Sequence, residues 1–165
     1  MTGSRLLNGT LDLHLTLEHE LAEFYGAEAA LVFSTGYVAN VATISGLLTR
    51  RDYAILDKDA HNSLLTGAQL SGATMKRFAH NDLGRLERIL DDLPADAGKC
   101  VIVDGVYSMG GETAPLAEMA ALCHRYPNTF LLDDEAHGVG VLGDRVFRGA
   151  LGNNLRSEEH TSELQ

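Results

Sequence analysis

Short apolar runs alternate with stretches of helical periodicity along most of the chain, and this alternation restricts the fold more than any other feature. Runs at 29–33, 53–56, 100–103 and 130–132 have the length and composition of buried strands, and 74–78 reads as a further, partly charged strand. Between them lie helical patterns. Leu13, Leu17, Leu21 and Phe24 recur at helical spacing with Glu18, Glu20 and Glu23 interspersed, and Gly26 closes that segment. A small-residue stretch to Leu48 predicts a buried helix, and another helix opens near His61. Asp82 is placed to cap a helix carrying Leu83, Leu86, Ile89 and Leu90. Pro115 stands at the first turn of a helix that buries Leu116, Met119 and Cys123. A further short extended piece is predicted at 139–142. Strands alternating with helices predict an α/β fold, a mostly parallel sheet with helices on both faces.

Polar clusters stand where the strands end. They are Thr35-Gly36-Tyr37, Asp59-Ala60-His61, Asp104 to Ser108, and Asp134-Glu135-Ala136-His137. In parallel sheets, ligands bind outside the carboxyl ends of the strands, so these clusters predict one site on one sheet edge. The competing reading is a set of ordinary loop residues and helix caps. Gly36 and Tyr37 lead into a helix whose free N–H groups suit phosphate. His61 could present a face to a flat aromatic ligand. Asp133, Asp134 and Glu135 could hold a metal, but metal sites favour His or Cys at recurring spacings, so no metal is expected. Asp134 to His137 also spells the acidic box of a class of helicases. That function needs a G-x-x-x-x-G-K-[ST] loop, and Gly98-Lys99 is followed by Cys100 instead.

Net charge narrows the partners. The 165 residues carry a formal charge of −10 with the 13 basic residues scattered, which argues against nucleic acid. No apolar run approaches the roughly 20 residues of a membrane span. Cys100 and Cys123 lack metal spacing and read as reduced thiols of a cytoplasmic protein.

Six motifs, taken together, resemble the α-oxoamine synthases. They are Gly9-Thr10-Leu11-Asp12-Leu13-His14 with Leu17-Glu18, Ser34 to Asn40, Asp57 to His61, Arg77 to Asp82, Asp104 to Gly110, and Asp134 to Gly138. The resemblance covers roughly residues 3 to 145. It implies part of the large domain of the aspartate-aminotransferase type (fold type I), with pyridoxal 5'-phosphate as cofactor. By the same resemblance Asp134 would pair with the pyridine nitrogen and His137 with the phenolic oxygen. His61 would stack on the ring and contact an amino-acid carboxylate. Gly36 and Tyr37 would bind the phosphate, and Ser108 the cofactor. Asp104, often Glu in the family, would orient Ser108 or His137. Asp133 and Glu135 are expected to be structural, as is His80 unless it lies at the surface.

The implied reaction condenses an amino acid with an acyl-CoA or acyl-carrier thioester to an α-amino ketone, usually with loss of carbon dioxide, in a homodimer. Other readings within the fold are an aminotransferase, a carbon–sulfur lyase or a non-catalytic degenerate copy. The family needs a lysine that binds the cofactor covalently, and the chain has only Lys58, Lys76 and Lys99, none in a matching motif. The expectation is therefore a partial domain over residues 1–155, inactive by itself, with the lysine elsewhere in a longer protein. Residues 156–165 resemble translated sequencing adapter and are expected to be non-native.

Overall fold

A computed structural model describes residues 3–142. The non-native tail expected at 156–165 lies outside the described residues. The chain divides into two units, residues 1–35 and 36–165.

In the first unit a single π-helical turn, Arg5–Gly9, precedes α1, Asp12–Tyr25. Gly26 ends α1 in the left-handed conformation, φ 60°, which a residue without Cβ adopts without strain. The leucine stripe predicted for this helix is present but not covered: Leu13 is 74% exposed, and Leu17 and Phe24 are each 41% exposed. The strand predicted at 29–33 does not form. The backbone of Val32 is taken by side chains instead: its N–H donates to Glu18 Oε1 at 2.8 Å and its carbonyl accepts from Arg5 Nη1 at 2.9 Å. Those bonds replace the ladder a strand would need.

The second unit contains the sheet. Its elements run α2 Gly36–Leu47, β1 Tyr53–Asp57, α3 Asn62–Ser71, β2 Thr74–Phe78, α4 Leu83–Asp91, β3 Lys99–Asp104, α5 Leu116–His124 and β4 Thr129–Asp134. The four strands are all parallel, in the order β2-β1-β3-β4. This is the α/β architecture the alternation predicts. Period-two alternation divides its core in two. Ala54, Leu56, Cys100 and Ile102 face α2 and α3, with Ile44, Leu64 and Ala68. Ile55, Val101 and Val103 face α4 and α5, with Leu86, Leu90, Leu116 and Met119. Each fully buried Leu, Ile or Met contributes roughly 1.5–3 kcal/mol. Both thiols, Cys100 and Cys123, are free and buried.

A glycine sets the spacing of two helices. On α3, a Cβ at Gly67 would lie 2.9 Å from Ile44 Cβ and 3.1 Å from the Asn40 carbonyl oxygen. The missing side chain is what lets α2 and α3 approach closely. The strand order reverses between β1 and β3, so the connections leaving their carboxyl ends part to opposite faces of the sheet, the position where parallel sheets bind ligands. The extended piece predicted at 139–142 is instead a run of turns, with Val141 and Leu142 N–H both donating to the Gly138 carbonyl at 3.0 and 3.1 Å. Glycines at 138 and 140, the latter at φ 78°, favour turns over a strand.

Candidate active site

A cavity of about 330 Å³ opens at the carboxyl ends of β1, β3 and β4. Gly36, Tyr37, His61, Asp104, Ser108, Asp134 and His137 all line it. The residues singled out in the sequence, spread over a hundred positions, therefore meet in one place.

Each arrives by a local device. Gly36 is the first residue of α2, and a Cβ there would meet nothing within 4 Å, so there is open space beside that residue. Asp134 ends β4, and its Oδ1 accepts the Ala136 N–H at 3.0 Å. That bond bends the chain so that His137, three residues on, returns to the same cavity. Ser108 sits in the loop after β3. That loop is closed by the Tyr107 N–H to the Glu112 carbonyl at 2.9 Å and by an isolated bridge between Val106 and Thr113.

His61 caps α3, with its imidazole accepting from the Ser63 N–H. Its own N–H donates to Asp104 Oδ2 at 2.8 Å. The role expected for Asp104, orienting Ser108 or His137, has a different geometry here: its carboxylate holds the backbone of His61. Asp104 and Asp134 are register partners on β3 and β4. Burial, opposed by the bond from His61 and reinforced by the Asp134 charge, pushes Asp104 up to about 6.

Asn40 and Ser63 also line the cavity, and the sequence alone assigns neither a role. Asn40 Nδ2 donates to Asp134 Oδ2 at 2.7 Å and to Ser63 Oγ at 2.8 Å. Ser63 Oγ in turn lies 2.7 Å from His61 Nδ1. The one local signal is the spacing of Gly36 and Asn40, one helical turn apart and hence on the same face.

The lysines stand apart from this cavity. Lys99 is buried at the opposite end of β3, donating to the carbonyls of Ala97 at 2.8 Å and Pro127 at 3.1 Å. Lys58 is about half exposed and lies 3.9 Å from an Asp59 carboxylate oxygen. Neither lines the cavity, nor does Lys76.

A neighbouring group has the spacing of a metal site. Asp57, Asp59 and His80 bring ligand atoms within 4.8 Å of one another. Hydrogen bonds already account for it. Asp57 is fully buried and accepts from the Asp59 and Asn81 N–H groups, each at 2.9 Å, and from His80 Nδ1 at 3.1 Å. The Asn81 amide lies 3.3 Å from His80 Nε2. An amide nitrogen only donates, so Nε2 accepts and the proton sits on Nδ1, facing Asp57. These bonds fix the His80 ring between Asp57 and Asn81.

The described helices include none long and apolar enough to cross a membrane. Known proteins share both the sequence and the geometry of this chain. It is 49% identical over 141 residues to serine palmitoyltransferase from Bacteroides thetaiotaomicron, a match covering 86% of the chain and 36% of the relative. It is 44% identical over 140 residues to 8-amino-7-oxononanoate synthase from Citrifermentans bemidjiense, covering 85% and 36% respectively. A solved structure of serine palmitoyltransferase from S. paucimobilis with a bound PLP–myriocin aldimine superposes with a TM-score of 0.87 at 43% identity. That superposition covers 93% of this chain and 38% of the other. The chain thus spans little more than a third of the length of the relatives it matches. Both relatives are α-oxoamine synthases, in accord with the resemblance of the six motifs. The family model described as aminotransferase class I and II matches residues 1–160, and the chain belongs to that family.

Proposed function

We propose that the chain is the cofactor-holding wall of a pyridoxal-phosphate-dependent acyltransferase of the α-oxoamine synthase type. The observation that carries this reading is the convergence of the first residues of α2, two histidines and a hydrogen-bonded carboxylate on one cavity. The donor set suits the group. A phosphate needs backbone N–H donors, which α2 offers at Gly36 and Tyr37. A pyridinium nitrogen needs a carboxylate, which Asp134 offers. A phenolic oxygen needs a donor, which His137 offers.

When bound, pyridoxal phosphate supplies an electron-withdrawing ring that stabilises negative charge developing beside the amino nitrogen of an amino acid. The residues of this chain hold that ring in place. Asp134 would keep a proton on the ring nitrogen, its carboxylate fixed by Asn40 and by the Ala136 N–H. His61 would cover one ring face, anchored through its backbone to Asp104. Ser108 would add a hydrogen bond from the β3 side. The substrates would be an amino acid and an acyl-CoA or acyl-carrier thioester, and the product an α-amino ketone, usually with loss of carbon dioxide. The complete protein would be a cytoplasmic homodimer that contributes its covalently binding lysine from outside this chain.

Titration calorimetry with pyridoxal phosphate tests the wall. Saturable binding that inorganic phosphate competes for, and that His137→Ala weakens, is the expected result. Binding unchanged in His137→Ala would refute it. Borohydride treatment followed by mass spectrometry should leave Lys58, Lys76 and Lys99 unmodified at one equivalent of pyridoxal phosphate. A trapped adduct on Lys58 would show that the chain needs no lysine from elsewhere.

A further inference from the structure

We infer that Asn40 and Ser63 are positioning residues that fix the His61 imidazole with its proton on Nε2 and tie it mechanically to the Asp134 carboxylate. Counting hydrogens along the four side chains leads to this assignment. The Asn40 amide nitrogen has two N–H groups and accepts nothing. It lies 2.7 Å from Asp134 Oδ2 and 2.8 Å from Ser63 Oγ, so both hydrogens are used. Turning the amide over would set its oxygen against a carboxylate oxygen, which fixes its orientation. Ser63 Oγ, accepting from Asn40, has one hydrogen to give, and His61 Nδ1 stands 2.7 Å away.

A second bond to the same ring atom decides the direction independently. The Ser63 backbone N–H, which can only donate, reaches Nδ1 at 3.3 Å. An atom that accepts two donors carries a lone pair, so the ring proton sits on Nε2. Among the described residues, no hydrogen bond engages Nε2, and His61 lines the cavity. The ring therefore offers its ligand a donor at Nε2. Ser63 is fully buried, so water does not compete for the link, and Gly67 supplies the close α2–α3 approach that the link requires.

The inference rests on the proposed function only for what the Nε2 proton would face. Its test therefore has a readout that needs no cofactor: long-range proton–nitrogen NMR of the 165-residue chain with ¹⁵N-labelled histidine. The His61 signals are identified by their loss in His61→Gln. In the unsubstituted chain, Nδ1 should resonate as an unprotonated ring nitrogen and Nε2 as a protonated one. Ser63→Ala removes the short hydroxyl bond and leaves only the longer backbone one, so both signals should move part of the way toward a mixture of tautomers, and Ser63→Thr, which keeps a hydroxyl, should restore the original pattern. Asn40→Leu should act like Ser63→Ala on His61 and also weaken pyridoxal phosphate about tenfold, the scale on which orienting partners act.

A proton on His61 Nδ1 in the unsubstituted chain overturns the inference. So does a pattern that neither Ser63→Ala nor Asn40→Leu changes while circular dichroism shows both folded. If the tautomer is as stated but pyridoxal phosphate does not bind, the positioning role stands and the proposed function falls. If pyridoxal phosphate binds and the tautomer is the other one, the positioning role falls alone.

Discussion

Asp133 and Asp134 are neighbours on one strand and opposites in every other respect. Asp134 follows Leu132 onto the face shared with α2 and α3, where two N–H donors meet its carboxylate. Asp133 follows Leu131 onto the face shared with α4 and α5, opposite Val103 on β3. Both its oxygens are buried there without a hydrogen bond of normal geometry. Burial, then the charge of Glu135 beside it, pushes the Asp133 carboxyl far above the ordinary carboxylate range. The difference shows that burial alone does not make an acid useful. Donors arranged in advance make Asp134 a fixed acceptor, while Asp133 is a group the fold tolerates best when protonated.

Substitutions at the two positions should therefore have opposite results. Asp134→Ala removes a charge-assisted partner and strands the Asn40 amide. It should weaken pyridoxal phosphate by about 2–3 kcal/mol, roughly a hundredfold. Asp133→Asn should leave that affinity within about twofold, because its side chain lies on the other face. Calorimetry on both variants breaks the contrast if Asp133→Asn loses as much as Asp134→Ala.

Stability should reverse the order. Asp133 has its folded-state pKa raised, so the folded protein holds a proton that the unfolded chain releases. The resulting destabilisation is absent at low pH and grows as pH rises from the ordinary carboxylate range through neutrality. Asp133→Asn removes it. We expect thermal unfolding at pH 8 to shift upward by a few degrees, corresponding to about 1 kcal/mol, with little change near pH 4. A variant equally stabilised at both pH values would show that charge is not the cause.

Asp104 shows the same effect on a smaller scale, on the face that carries the site. Its carboxyl is pushed up to about 6, so the stability it contributes falls as pH rises from about 4 to about 6. Asn at this position keeps an acceptor for the His61 N–H and carries no charge. Asp104→Asn should flatten the unfolding profile between pH 4 and 6 and keep the capped start of α3, read as unchanged amide exchange at Ser63 and Leu64.

How far the sequence made this legible depends on the range of the interaction. Three of the four strands of the sheet could be read because each holds a continuous apolar run between polar ends, a local property; β2, Thr74–Phe78, carries Lys76 and Arg77 and could be read only from its place between two helical patterns. The lining of the cavity could be read because a parallel sheet brings every strand exit to one edge. Asn40 and Ser63 escaped notice because their partners are distant: Asn40 meets Asp134 94 positions later, and no local pattern records that contact. The strand expected at 29–33 failed for a related reason. Its composition is that of a strand, but Glu18 and Arg5 occupy the backbone groups of Val32 that a neighbouring strand would have used.

That last arrangement extends the comparison to a third carboxylate and gives the smallest of the expected effects. Glu18 accepts from Arg5 Nη1 at 2.6 Å and Nη2 at 3.1 Å, a two-pronged pairing, and from the Val32 N–H at 2.8 Å. The Arg5 hydrogen bonds foremost, then that of Val32, hold its carboxyl down at about 2. The sign is opposite to that of Asp133. A lowered folded-state pKa gives stability that is complete above the ordinary glutamate range and is lost as pH falls toward 2. The pair is close to solvent and screened by salt, so global stability should change little. The local effect is the one to measure. The protection of the Val32 amide, measured against its intrinsic exchange rate at each pH, should fall as pH is lowered from 5 to 2.5, and Glu18→Gln should show the reduced protection already at pH 5. If Val32 is equally protected in Glu18→Gln, donors on the carboxylate do not order the 29–33 segment, and the lesson drawn from Asp134 applies only to the interior of the sheet.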